Sequence, residues 1–243
     1  MAKKKTGIVA TVVSVLWVVG WFIADQTLGA KDSNASNGYY QQASVHQASN
    51  PCMQAKKGRA SKQNYSDFPV QVCRLEYLPI NQENKISPSL ISKYNLSTCR
   101  VTSVHDGDTV HCQVTSNLQV LKVRLLGIDA PETKQTYGQQ AGNTLRNLVQ
   151  GKTVAIFVTG RDVYNRYLGT LYLPQGGSYL NVNQYMVQTG NAWVYNYSNK
   201  SSQMFKAYTA FSQQAQRQGL GLWNSSLYPR GKGPVEPKNW RNN

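Results

Sequence analysis

Acidic residues are scarce in this chain: 11 Asp and Glu stand against 26 Lys and Arg in 243 residues, leaving a formal net charge of +15. A partner that is itself basic is disfavoured by such a balance. A polyanion such as nucleic acid, or an anionic membrane surface, suits it. The excess is spread as +3 before residue 25, +3 from 25 to 98, +6 from 99 to 223 and +3 beyond, so no single basic tail carries it. Histidine is scarcer still, with only His46, His105 and His111. They are too few to suggest a His-rich zinc site, and neither a Cys-x-x-Cys nor a His-Glu-x-x-His occurs. His105 and His111 read as turn and surface residues. There is no Gly-x-Ser-x-Gly elbow and no Ser, His and Asp set, which leaves serine-based nucleophilic catalysis without support.

What is present begins at the N-terminus. Lys3, Lys4 and Lys5 precede an uncharged run from Gly7 to Ala24, with Trp17, Trp21 and Phe22 toward its far end. As a helix it would be about 27 Å long at about 1.5 Å per residue, enough to reach across a hydrocarbon core. The lysines predict the N-terminus inside and the remainder outside. Residues 1–30 therefore read as a membrane anchor, with a cleaved signal peptide as the alternative. Either reading exports the functional part. The four cysteines, Cys52, Cys73, Cys99 and Cys112, are then candidates for disulfides. Cys99 and Cys112 flank a predicted hairpin, which leaves Cys52 with Cys73; other pairings and free thiols remain open.

Residues 25 to about 50 are rich in Asn, Ser, Gln and Ala, a composition that suits a stalk. From there to Ser97, short apolar patches are broken by Pro51, Pro69, Pro79 and Pro88. Residues 31–98 are thus a flexible stalk and a small disulfide-tied segment to which the sequence assigns no function. From Cys99 the pattern turns to strands: Val101–Val104 and Thr109–Val114 about an Asp-Gly turn at Asp106-Gly107, then Leu118–Ile128, Thr153–Thr159 and Tyr167–Leu173. Helices are predicted at Ala141, Leu145, Leu148 and Val149 before Gly151, at Val182–Thr189 before Gly190, and at Met204, Tyr208, Phe211 and Ala215 before Gly219. This is an α+β chain, mainly β: a five-stranded Greek-key barrel of the OB type with about three helices over residues 99–223. A basic tail containing Pro and Gly follows at 224–243.

The few acids are unevenly used. Asp106, Asp108, Asp129 and Glu132 fall within 27 positions, and Asp162 lies close to Arg166. Strand ends would gather them, and two carboxylates about 4 Å apart repel by about 4 kcal/mol at an effective dielectric of about 20, so the cluster calls for a cation. Hard oxygens without His or Cys suit Ca²⁺ or Mg²⁺. Arg124 and Arg166 opposite such a site can grip a phosphate, and Glu132 remains to orient or deprotonate a water. Of the tyrosines Tyr164, Tyr167, Tyr172, Tyr195 and Tyr197, about half belong to a core and one or two could stack on bases.

Together these residues resemble the staphylococcal nuclease, or thermonuclease, family. The likeness runs through Asp106-Gly107-Asp108-Thr109-Val110, Arg124 to Lys134 (RLLGIDAPETK), Asp162-Val163-Tyr164-Asn165-Arg166 and Gly219-Leu220-Gly221-Leu222-Trp223, over about residues 99–223. The resemblance implies Asp108, Asp129 and the backbone carbonyl of Ala130 as Ca²⁺ ligands. It implies Glu132 as general base, Arg124 and Arg166 as the phosphate-binding pair, and Asp106 and Asp162 in support. Ala130 stands where the best-known member has threonine. The implied activity is a Ca²⁺-dependent endonuclease on DNA or RNA with little sequence specificity, releasing a 5′-hydroxyl and a 3′-phosphate. The alternative is an inactive OB module that binds nucleic acid or protein in an envelope or DNA-transfer assembly.

Overall fold

The computed structural model describes residues 50, 52, 67–195 and 200–242. The anchor or signal segment and most of the stalk lie outside the described residues. Among those described, no helix is long and apolar enough to cross a membrane.

Five strands close a barrel: β1 (Ser97–Val104), β2 (Thr109–Val114), β3 (Val120–Leu125), β5 (Thr153–Arg161) and β6 (Tyr167–Gln175). β1 pairs antiparallel with both β2 and β5, β2 with β3, and β5 with β6. Closure comes from the parallel pairing of β3 with β6, where Val123, Arg124 and Leu125 face Tyr167, Leu168 and Gly169. Alternation drives it. In β3, Leu121, Val123 and Leu125 are buried while Val120 and Lys122 are exposed, so one face of each strand fills the interior. The topology is consistent with the OB barrel read from the pattern.

Several details differ from that reading. The third strand does not run from Leu118 to Ile128. Leu118 sits in a turn at φ 60°, and Gly127 at φ 78° breaks the strand, so Ile128–Asp129 forms a separate short β4 against β8 (Trp193–Val194). An added strand, β7 (Ser178–Asn181), extends the sheet beyond β6 after a Gly176-Gly177 turn with both glycines at positive φ. The β1–β2 connection is not a two-residue Asp-Gly turn; it spans His105 to Asp108, and Gly107 is not left-handed. Its lack of a side chain serves close approach, since a Cβ there would lie 2.6 Å from the Cβ of Ala130 and 3.0 Å from that of Ala141.

The helices α2 (Gly138–Val149), α3 (Val182–Gln188) and α4 (Gln203–Arg217) stand where periodicity placed them. Each ends before a left-handed glycine: Gly151, Gly190 and Gly219. α2 buries Ala141, Leu145 and Val149 against the barrel; α4 buries Met204, Ala207, Tyr208, Phe211 and Ala215. Two further helices flank these, α1 (Pro88–Tyr94), capped by Ser87 with Pro88 in its first turn, and α5 (Pro237–Arg241).

Residues 67–98 pack into the barrel's own core. Val72 bridges to Val158 and Ile86 to Tyr179, the Tyr172 hydroxyl donates to the Pro79 carbonyl at 2.9 Å, and Val70, Leu78, Ile80, Ile86, Ile91 and Tyr94 are buried in the same cluster as the strands. Disulfides join Cys52 to Cys73 and Cys99 to Cys112. The second lies diagonally across the β1–β2 ladder, where Cys99 faces Val114 and Val101 faces Cys112.

Candidate active site

One end of the barrel collects the scarce acids. Strand register is the cause: Arg124 on β3 faces Thr109 on β2 and Leu168 on β6, which sets Asp108, Arg124 and Arg166 at the same rim. The break at Gly127 then turns the chain back. β4 is held by Trp193 of β8, and Asp129 comes to face Arg124. An open cleft of about 780 Å³ results, and Asp106, Asp108, Asp129, Glu132, Asp162 and both arginines all line it, as does Ala130.

Arg124 is the hub. Its Nη2 donates to Asp129 Oδ1 at 2.7 Å, and its Nη1 lies 3.1 Å from Asp108 Oδ2 and donates to the Ile128 carbonyl at 2.8 Å. Both carboxylates are buried, at 8% and 7% side-chain exposure, so their charges are little solvated and depend on this neighbour. Asp108 is further fixed by the Ala130 amide, which donates to Oδ2 at 2.8 Å, and by the Thr109 hydroxyl at 3.0 Å. Asp106 accepts the Asp108 amide at 2.9 Å. Burial, reinforced by the charge of Asp108, pushes the Asp106 carboxyl up to about 6. Asp129 is also raised by burial, against the opposing pull of Arg124.

The β5–β6 turn holds the second arginine. Asp162 accepts the backbone amides of Tyr164 and Arg166, each at 2.9 Å, and the Arg166 Nε at 2.7 Å. Burial alone would raise this carboxyl, but these bonds outweigh it and hold Asp162 below the usual range. With Nε engaged, the Arg166 guanidinium lines the cleft and lies 5.5 Å from the centroid of the Tyr164 ring. The turn is buttressed by a residue the sequence did not single out. Arg161 donates to Asn165 Oδ1 at 2.6 Å and to the Tyr167 hydroxyl, and its guanidinium stacks 4.2 Å from the Tyr167 ring and 5.2 Å from that of Phe68.

Glu132 sits on the loop after Pro131, its amide donating to Gln135 Oε1 at 3.1 Å and its side chain one-third exposed. Gly138 allows this loop to close, since a Cβ there would collide with the Glu132 carbonyl. Two further residues were not legible in the sequence. Arg241, 109 positions away, reaches Glu132 Oε1 at 2.5 Å and Asp129 Oδ2 at 3.3 Å; Gln135 donates to the Val235 carbonyl. Of the tyrosines, Tyr164 and Tyr195 line the cleft, at 78% and 39% exposure, whereas Tyr167, Tyr172 and Tyr208 are core; Tyr197 lies outside the described residues.

Among the described residues no three His, Cys, Asp or Glu side chains converge as a metal cage. What the rim offers is two buried carboxylates, Asp108 at the end of the β1–β2 connection and Asp129 in β4. They form an all-oxygen set that lacks soft donors and fits a hard divalent ion completed by main-chain carbonyl and water. The donor chemistry suits Ca²⁺ or Mg²⁺ and not zinc.

The sequence model of the family described as staphylococcal nuclease homologue matches residues 122–225. That match contains Arg124, Asp129, Glu132 and Arg166 but begins after Asp108, whose membership of the site rests on the strand register. The chain is 39% identical over 142 residues to an Escherichia coli protein described as an uncharacterized endonuclease, covering 58% of this chain and 83% of the relative. It is 38% identical over 145 residues to one of the same description in Haemophilus influenzae, covering 60% and 73%. It is 38% identical over 148 residues to a micrococcal nuclease of Shigella flexneri, covering 58% and 78%.

Proposed function

Because this chain belongs to the staphylococcal nuclease family and is a phosphodiester-cleaving nuclease, we propose that it is a Ca²⁺-dependent endonuclease acting on DNA or RNA with little sequence preference. The observation that carries this reading is the convergence of Asp108, Arg124, Asp129, Glu132 and Arg166 on one cleft in a chain with only 11 acids. A module that only bound a polyanion would gain nothing from carboxylates aimed at it.

In this reading Asp108, Asp129 and the Ala130 carbonyl hold Ca²⁺, which when bound neutralises charge on the scissile phosphate. Glu132, exposed enough to meet solvent, takes the proton of the attacking water. Arg166, oriented through its Nε by Asp162, presents its Nη pair to a non-bridging oxygen; Arg124 offers a second guanidinium from β3. Both donate most strongly to the pentacoordinate state, where the equatorial oxygens carry the most charge. As the P–O5′ bond breaks, the leaving oxygen takes a proton from solvent to become the 5′-hydroxyl, and the phosphate stays on the 3′ side. Asp106, bound to the Asp108 amide, keeps the first ligand's loop in place. The mixed surface of Arg, Lys and exposed tyrosine supports a substrate gripped by backbone charge and stacking, which reads no particular sequence.

The proposal extends to place. Gly7–Ala24 would anchor the catalytic domain outside the cytosol, or be cleaved to release it, and the two disulfides support an oxidising compartment.

The test is digestion of single- and double-stranded DNA and of RNA with Ca²⁺, with Mg²⁺ and with chelator. Cleavage that requires Ca²⁺ and collapses in Glu132→Ala and Arg166→Ala is expected. Full activity in chelator would remove the metal from the reading, and full activity in either variant would remove that residue's role.

A further inference from the structure

The C-terminal segment folds back to the edge of the cleft, which Arg241 alone of its described residues lines. Its path is pinned at Gln135, a buried side chain with two tasks: Oε1 accepts the Glu132 amide, and Nε2 donates to the Val235 carbonyl. From there Glu236 leads into α5, whose first-turn Pro237 is buried, and the short helix delivers Arg241 to the carboxylates. Arg241 Nη1 lies 2.5 Å from Glu132 Oε1, and Nη2 lies 3.3 Å from Asp129 Oδ2. Asp129 Oδ1 is already taken by Arg124 at 2.7 Å. Both oxygens of the central carboxylate are thus held by guanidinium groups, one from the barrel and one from the tail.

The two contacts differ in permanence. Arg124 is 12% exposed and rooted in a barrel strand paired on both sides. Arg241 is 42% exposed, and on either side of the buried Pro237 its segment leaves Val235 and Trp240 at 44% and 37% exposure. Little apolar burial holds it. Its sequence is basic: Arg230, Lys232, Lys238 and Arg241 against the single acid Glu236 over residues 224–243.

We propose that this segment is an internal strap: Arg241 competes with the divalent cation for Asp129 and covers Glu132, so the site is complete only when the strap swings away. The proposal rests on Asp129 being a metal ligand and Glu132 the base. A cation held by Asp129 would stand beside the guanidinium already on its Oδ2, and the two like charges would repel at that distance. Because the competitor is tethered, it acts at a high effective concentration whatever the protein's dilution, yet its weak anchorage lets a divalent ion displace it. A polyanion favours the same release, since the freed basic segment can lie along its phosphates instead of in the cleft.

The test compares the full-length chain with its Arg241→Gln variant. Ca²⁺ affinity is read by titration calorimetry, and exposure of the strap by the rate of tryptic cleavage after Lys238. A partly exposed pair of this kind shifts an equilibrium only modestly, so Arg241→Gln is expected to bind Ca²⁺ about three- to tenfold more tightly. In the unsubstituted chain, cleavage after Lys238 should accelerate on saturation with Ca²⁺, whereas in the variant it should be fast from the start. Equal or weaker Ca²⁺ affinity in Arg241→Gln, or cleavage indifferent to Ca²⁺, overturns the strap and leaves the metal reading standing. Failure of both proteins to bind Ca²⁺ overturns the metal reading and the competition with it.

Discussion

Replacing Arg124 by Gln separates what this side chain does for the fold from what it does for the reaction. In the structure its guanidinium neutralises two carboxylates that are only 8% and 7% exposed, and it ties them to the Ile128 carbonyl. Removing one partner of a buried pair costs about 3–5 kcal/mol, because the other charge is left uncompensated. Arg241 still reaches Asp129, so the lower end of that range applies. At roughly 2–4 °C per kcal/mol for a domain of this size, melting in chelator should fall by about 6–12 °C. Calcium should then reverse the order of effects. A cation between Asp108 and Asp129 supplies the missing charge, so the variant should gain more from saturating Ca²⁺ than the parent, and the gap should shrink by half or more. Cleavage should not recover. A lost charge-assisted contact to phosphate is worth about 2–3 kcal/mol, or about 30- to 150-fold in kcat/KM, even where the fold has been restored. Thermal melts with chelator and with Ca²⁺, set beside cleavage of a labelled oligonucleotide, measure both. A drop in chelator smaller than about 2 °C would refute Arg124 as the neutralising group. A gap unchanged by Ca²⁺ would refute Asp108 and Asp129 as the metal's ligands.

Asp162→Asn sets an amide nitrogen against the Arg166 Nε and should lower kcat by about 10- to 100-fold with Ca²⁺ affinity unchanged; an unaltered rate would show that Arg166 needs no such guide. Gly107→Ala drives a methyl into the Cβ atoms of Ala130 and Ala141 and should cost about 1–3 kcal/mol in a denaturant titration, with loss of activity because the Ala130 amide holds Asp108. Burial, then the neighbouring Tyr77, pushes the Tyr94 phenol up to about 12, above its unfolded value of about 10. A raised folded value means this stability is intact below about pH 10 and is lost as pH rises toward 12. Tyr172 and Tyr208 act in the same direction. Unfolding midpoints between pH 8 and 12 should trace that alkaline decline, and Tyr94→Phe should flatten it; an identical slope in the variant would assign the decline elsewhere.

Much of this molecule was legible in its residue order because the governing forces are local. Period-two burial marked the barrel strands, period-3.6 burial marked α2 and α4, and glycines after α2, α3 and α4 marked where a left-handed residue was needed. The residues that meet at the candidate cleft stood out through scarcity: few acids, clustered beside arginines and a proline-forced turn. Two signals were present and unread, the Ser87-Pro88 start of α1 and the Gly176-Gly177 turn before β7. Other features left no trace. β4 and β8 are two residues each, too short for a period, and exist because Gly127 breaks a strand in order to pass beneath Met204. Gly107 looked like turn chemistry, whereas its reason is close approach to Ala130 and to Ala141 of helix α2.

By itself, then, the sequence determined which chemical groups are available and which local elements carry them, since both follow from neighbours along the chain. Tertiary structure alone decided which groups meet. The pairing of β3 with β6 brings Arg124 and Arg166 to one rim, Arg161 and Phe68 stiffen the turn behind Arg166, and Arg241 arrives on Asp129 and Glu132 from 109 residues beyond the latter. Such contacts depend on how a closed sheet spaces distant segments, and no periodicity in the chain encodes that.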